Sequence, residues 1–275
     1  MARHQHKNNL KKFDYWIADG GGAARGALYR PYLRVQDVPS RGNVNRVKGW
    51  KTGRTHHFMS NLELQFFLML EWSDIVTDVN EQFPLDLAET QSIAEQLRFK
   101  HPTVPVTQQP NIMTTDFKIT LARGLKETIR AVAIKPSRDL TKRTLEKLEI
   151  ERRFWVNRNV HWSLVTEQEI NVTCVRNIQW LHPHHELQPG LLPGSTSLST
   201  VEEVLLEFVA TNRPLADAAL AFDKRLGLPM GCGLALVRHF LATKRWFVDM
   251  NRPINPTQPL KLLNSSTPES HGHLN

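Results

Sequence analysis

The sequence predicts an α/β domain followed by a mostly helical one. Three observations carry that expectation: an almost wholly apolar run opened by a capping box at Ser60, alternating strands between positions 113 and 135, and three helical patterns after residue 200. With 275 residues, 40% of them apolar, the chain is long enough for one or two domains with real cores. No stretch reaches the roughly 18 uninterrupted apolar residues of a membrane span. MARHQHKNNLKK has no apolar run behind its basic residues, which argues against a cleaved secretory signal. Cys174 and Cys232 stand outside any CxxC or finger spacing, so a reducing, intracellular compartment is expected.

Residues 1–59 read as irregular or short-stranded, with Gly20, Gly21, Gly22 and Gly26 near the start and a turn at Arg41-Gly42-Asn43. At SNLELQFFLMLEW, Ser60 and Glu63 form a capping box, and a helix so apolar on nearly every side is expected to be buried. Ile75 to Phe83 alternates as a strand that Pro84 ends. Residues 86–110 read as a long excursion, because Pro102, Pro105 and Pro110 argue against continuous structure. Met113 to Leu121 and Thr128 to Lys135 flank the five residues Ala122 to Lys126, a hairpin. Leu145, Leu148, Arg152 and Trp155 give helical spacing from Thr141 to about Asn159, and Val160 to Val165 is a short buried strand. Thr166 and Glu169 make a second capping box. Beyond the loop at 186–199, helical patterns at about Thr200 to Thr211, Pro214 to Leu226 and Gly231 to Thr243 run into apolar stretches at Trp246 to Met250 and Leu260 to Leu263. Three helices ending in a β-hairpin suggest a winged-helix-like domain. The expected boundaries are therefore 1–168 for the first domain, including a basic arm at 1–59, then 169–265, with a tail at 266–275.

Charge is unevenly distributed. The chain carries +8 overall, yet residues 1–60 hold twelve basic side chains against Asp14, Asp19 and Asp37, a net +9. An arm that holds the whole positive excess, with Gly, Tyr and Trp among the arginines, is a candidate polyanion binder. Nucleic acid is the leading partner and a membrane surface the second. A solubilising tail is the bland alternative. Arg41, Arg46, Lys48, Lys51 and Arg54 are the candidate DNA-binding residues.

The hairpin places side chains by parity. Asp116, Lys118 and Thr120 share one face of its first strand, and Ala131, Ala133 and Lys135 share one face of the second, so Asp116 and Lys135 can meet at one end. A carboxylate and a lysine so placed suit a metal-dependent phosphodiesterase: the carboxylate holds Mg²⁺ near the scissile phosphate, and the ammonium steers or activates the attacking water. An ordinary cross-strand ion pair is the competing reading. Fixing the metal takes a second carboxylate. Glu63, the only acid in the apolar run Leu62 to Leu70, is the candidate, although it could serve only as the partner of Ser60 in the cap.

Asp116, then Ala133-Ile134-Lys135, resembles the PD-(D/E)xK core of many restriction enzymes. More specific are RPYLRVQDVPSRG, KTGRTHHFMSNLELQFFLMLEW, VNEQFPL, TTDFKI, AIKP, TLEKLEIERRFW and TEQEIN, between about Tyr29 and Asn171. In order and spacing these resemble the TnsA family, the endonuclease subunit of a heteromeric, cut-and-paste bacterial transposase. The resemblance implies a restriction-endonuclease-like domain, a mixed sheet with flanking helices, before the winged-helix-like C-terminal domain. It implies Glu63, Asp116 and Lys135 as the catalytic set, with Glu151 as a further acid; a solvated helix charge beside Arg152 and Arg153 is the alternative for Glu151. It also implies cleavage of double-stranded DNA at the transposon 5′ ends, a DDE-type partner transposase for the 3′ ends, an ATP-dependent transposition regulator, no membrane, and a cytoplasmic, nucleoid-associated location in bacteria.

In one respect the chain departs from the family pattern: Ala133 replaces the acid or glutamine two residues before the lysine. Glu63 and Asp116 are then the side-chain ligands, joined by the backbone carbonyl of Ile134, for Mg²⁺ or a substituting Mn²⁺. The number of metals, one or two, stays open. Two other readings remain. One is a non-catalytic DNA-binding scaffold, in which Ala133 marks a dead site; the other is a standalone restriction or repair nuclease.

The remaining candidates carry less. His56 and His57 could touch a phosphate, but exposed turn histidines are the simpler reading. His182, His184 and His185 lack cysteine or carboxylate partners at zinc spacing, Gly20-Gly21-Gly22 lacks a nucleotide-loop lysine, and Cys174 reads as a core thiol. Arg238, Lys244 and Arg245 would mark a recognition helix if the second domain read DNA, whereas its near-neutral charge favours protein docking.

Overall fold

The structure, a computed structural model, describes residues 9–21, 23–37, 44–104, 108–191 and 197–263. It divides into two compact units, Met1–Ile170 and Asn171–Asn275.

The first unit is built on a mixed four-stranded sheet in the order β3-β4-β5-β6, formed by β3 (Val76–Pro84), β4 (Thr114–Arg123), β5 (Lys126–Ile134) and β6 (His161–Val165). The first three strands run antiparallel, and β6 returns parallel to β5 after the helix α4 (Lys142–Val156). Parallel neighbours need such a crossover, whereas antiparallel ones need only a turn. Pairing of Phe117 with Val132 and of Lys118 with Ala131 sends Phe117 and Ala131 to opposite faces. On the Phe117 face, α2 (Asn61–Trp72) packs Phe66 and Phe67 against Phe58 and Phe117. On the Ala131 face, Ile150, Phe154 and Trp155 of α4 cluster with Leu85 and with Ile93 from α3 (Leu87–Gln96).

The excursion expected at 86–110 begins instead with a helix of ten residues. Asp86 accepts from the amide of Glu89 and caps α3, and the three prolines all fall beyond its end. The hairpin is also tighter than its expected five-residue loop. Gly124 takes φ +62°, the left-handed backbone a two-residue loop favours, and the ladder continues to Arg123 and Lys126. Before position 60, the short strands β1 (Asn45–Lys48) and β2 (Thr55–Phe58) agree with the expected irregularity, but a helix, α1 (Asn9–Ala18), does not. Phe13 and Trp16, three positions apart, share one face of α1, and Trp16 packs edge-on against Tyr29 and Phe83.

The second unit is helical: α5 (Val172–Leu181), α6 (Leu198–Val209), α7 (Leu215–Leu226) and α8 (Cys232–Ala242). Leu205, Phe222, Leu236 and Phe240 are fully buried. Asp223, also buried, accepts from the amides of Gly231 and Gly233 and ties α7 to the start of α8. Gly233 is needed there, since a Cβ would meet the Ala219 carbonyl at 2.7 Å. The wing expected from Trp246 to Leu263 does not form as a hairpin. One antiparallel bridge, Phe247 to Leu263, stands in its place, and Asn177 anchors the segment between, donating to the carbonyls of Met250 and Arg252 and accepting from the amide of Ile254.

Candidate active site

Three elements of the first unit converge near the start of β4. Asp116 is buried, and its Oδ2 accepts from the backbone amide of Ile134 at 2.7 Å and from Lys135 Nζ at 3.0 Å. Register explains the meeting: Phe117 pairs with Val132, so Asp116 lies opposite Ala133, and the chain leaving β5 brings Lys135 alongside. Lys135 Nζ also donates to the carbonyl of Ile134 at 2.8 Å. Its side chain as a whole keeps 36% exposure, while Nζ itself is held by Asp116 and the Ile134 carbonyl.

Glu63 arrives from the first turn of α2. Ser60 Oγ accepts from the amide of Glu63 at 3.1 Å and donates to its Oε1 at 2.9 Å, while the amide of Met59 donates to Oε2 at 3.0 Å. The cap is therefore real, yet it does not use up the carboxylate. Gln82 Nε2 lies 3.4 Å from Glu63 Oε2 and 3.5 Å from Asp116 Oδ1, so both acids border one amide nitrogen. The capping reading of Glu63 holds, and the same helix start leaves its Oε2 beside the amide nitrogen that Asp116 also borders.

Glu151 is buried on α4 behind these groups, where Trp162 Nε1 donates to its Oε1 at 3.1 Å. Burial rules out the solvated helix charge. Burial first, then the charge of Asp116, pushes the Glu63 and Glu151 carboxyls each up to about 7. Burial works against the Lys135 ammonium, yet Asp116 outweighs it by charge and hydrogen bond, with Glu151 and Glu63 adding to that, and holds the pKa above the usual lysine value. The pocket therefore contains more negative charge than its one lysine compensates.

A divalent cation fits this donor set. Glu63, Asp116 and the Ile134 carbonyl are hard oxygens, which suit Mg²⁺ or Mn²⁺. Among the described residues, however, no group of three or more His, Cys, Asp or Glu side chains is placed to hold a metal, so acids alone do not complete the set. Gln82 is the residue that sequence reasoning missed. It lies in VNEQFPL directly after Asn80 and Glu81, so its polar side chain carries no signal of its own there.

The candidate DNA contacts separate. Arg46 and Lys48 are exposed at alternate positions of β1. Lys51 donates to the carbonyl of Ser73 at 2.7 Å. Arg54 is a correction: its guanidinium forks onto Glu81 inside the unit, its side chain only 8% exposed, so it is a structural cation. Arg41 lies outside the described residues. His56 is also corrected, being fully buried between Glu81 and Thr52 rather than exposed on a turn. In the second unit, Arg238 donates to the Trp180 carbonyl and stacks over its ring, and Arg245 pairs with Glu202.

Residues 73–167 match the model of the TnsA-like endonuclease N-terminal domain, and residues 169–250 that of the TnsA endonuclease C-terminal domain. The first match includes Asp116, Lys135 and Glu151 but begins after Glu63. The chain is also 41% identical, over 201 residues, to the Transposon Tn7 transposition protein TnsA of Escherichia coli, an alignment covering 73% of this chain and 67% of that protein. The chain belongs to the TnsA family of endonucleases.

Proposed function

We propose that the chain is a Mg²⁺-dependent DNA endonuclease subunit of a transposase, hydrolysing the strand at transposon 5′ ends while a DDE-type partner acts on the 3′ ends. The observation that carries the reading is the meeting of Glu63, Asp116 and Lys135, from a helix start and two neighbouring strands, in a pocket short of positive charge. Glu63, Asp116 and the Ile134 carbonyl would hold the cation. When bound, the cation would polarise the scissile phosphate and lower the pKa of a water. Lys135, held charged, would orient a phosphate oxygen or the attacking water. Glu151 holds the lysine's charge from behind. Arg46 and Lys48 offer phosphate contacts that fix register on the duplex without reading its sequence.

The second unit fits protein docking better than DNA reading, because Arg238 and Arg245 are held by Trp180 and Glu202. We assign it to contact with an ATP-dependent regulator. The test is strand scission on transposon-end DNA by the reconstituted complex in Mg²⁺. Wild type is expected to cut, and Asp116→Ala and Lys135→Ala to fail. Equal cutting by all three would move the chemistry to a partner and leave this chain a scaffold. Efficient cutting by the purified chain alone would make it a standalone nuclease.

A further inference from the structure

Gln82 is 3% exposed and holds φ +50°, a left-handed backbone that a side chain bearing Cβ adopts only against strain. Such strain in a buried strand position persists where the surroundings demand it. Here the demand is positional. Glu81 pairs with Phe117 and Phe83 with Thr115, so Gln82 lies opposite Asp116 from β3, as Ala133 lies opposite it from β5. The side chain lacking on one flank of the aspartate is present on the other.

Its amide is two-sided. Nε2 borders Glu63 Oε2 and Asp116 Oδ1 at 3.4 and 3.5 Å, and Oε1 accepts from Thr114 Oγ1 at 3.1 Å. A half-turn about the last side-chain bond exchanges the two ends. Thr114 serves either orientation, because a hydroxyl accepts as readily as it donates. Without a cation, the NH₂ end belongs between two carboxylates. With one, the oxygen does.

We propose that Gln82 supplies an oxygen donor to the divalent cation of this site, in place of the side chain that position 133 lacks. The inference rests on the reading of Glu63 and Asp116 as cation ligands. It answers two features of the site: among the described residues no group of three or more acids, histidines or cysteines is placed to hold a metal, and Lys135 already engages the Ile134 carbonyl.

The test is Mn²⁺ binding by the full chain, read from the electron paramagnetic resonance signal of free Mn²⁺, with thermal unfolding in parallel. Gln82→Gly removes the amide yet suits φ +50°, so it is expected to keep or raise the unfolding temperature while weakening Mn²⁺ about tenfold or more. Gln82→Glu, which keeps an oxygen in place, is expected to bind at least as tightly as wild type. Wild-type affinity in Gln82→Gly, alongside lost binding in Asp116→Ala, would overturn the role of Gln82 alone. Unchanged binding in Asp116→Ala, or none in wild type, would overturn the cation site itself.

Discussion

Glu81 and Gln82 are neighbours in one strand, and they belong to opposite kinds of interior. The Glu81 carboxylate accepts from Arg54 Nη1 at 2.7 Å, Arg54 Nη2 at 2.5 Å, His56 Nδ1 at 2.8 Å and the amide of His57 at 3.2 Å. Burial alone would raise its pKa, but those partners hold it down at about 2. One residue further on, Gln82 faces Glu63 and Asp116, and with comparable burial Glu63 and Glu151 are pushed up to about 7. Burial is common to both places; compensation is not. The first acid is fully supplied with donors and clips β2 to β3. The others share a single lysine, and that imbalance is what the proposed cation site rests on.

The largest expected effect tests the incomplete side. Asp116→Ala should lower strand cleavage by the reconstituted complex about 10³-fold or more, a loss of about 4 kcal/mol of transition-state stabilisation, while stability falls by only about 1–3 kcal/mol for the Ile134 amide left without its acceptor. A variant that unfolds instead would make Asp116 a structural acid like Glu81. The complementary change is Glu81→Leu, which strands Arg54 inside the unit and should cost about 3–5 kcal/mol in urea denaturation. Adding Arg54→Leu should recover much of that cost, because no unpaired charge then remains. A full loss unrelieved by the second substitution would show that the network is not held by charge.

The contrast bears on what the sequence can tell. Parity read from positions 116 to 135 places Asp116 and Lys135 together, because period two is a local rule and the register of a hairpin follows from its turn. The capping box at Ser60 likewise reveals where α2 starts and, with it, the direction of Glu63. By contrast, Arg54 read as a DNA contact because a surface arginine and a buried one look alike in sequence. Its partner lies 27 residues away, and nothing local announces it. Gln82 escaped for the same reason, since its role depends on strand order and on a positive φ. Helix α3 was hidden by prolines that only follow it, and α1 by the Gly and Arg composition around two well-spaced aromatics. The absent wing shows that apolar spacing alone does not separate a β-hairpin from a packed loop held by Asn177.

Acidity should distinguish the two interiors by the sign of its effect. Glu81 ionises at about 2 in the folded chain and near 4.5 when unfolded, so its contribution is present above pH 4.5 and is lost as pH falls toward 2. Glu63 and Glu151 keep their protons up to about 7 when folded and release them near 4.5 when unfolded. Their contribution is therefore largest below pH 4.5 and declines as pH rises toward 7. Glu151→Gln should remove part of that decline, about 1–3 kcal/mol between pH 5 and 8 in urea titrations. A wild-type stability no different from the variant's across that range would mean that Glu151 is as well compensated as Glu81.

The smallest effect separates cap from site. Ser60→Ala removes the acceptor for the Glu63 amide and should cost about 1 kcal/mol of stability, as N-caps do. Ser60 Oγ also donates to Glu63 Oε1, so the substitution loosens the carboxylate's aim, leaving the Met59 amide on Oε2. Ser60→Asp tests this directly, because it caps as well but repels Glu63. Stability should return with Asp while cleavage by the complex stays low. Cleavage that follows stability in both variants would mean that Ser60 acts on the site only through the helix it starts.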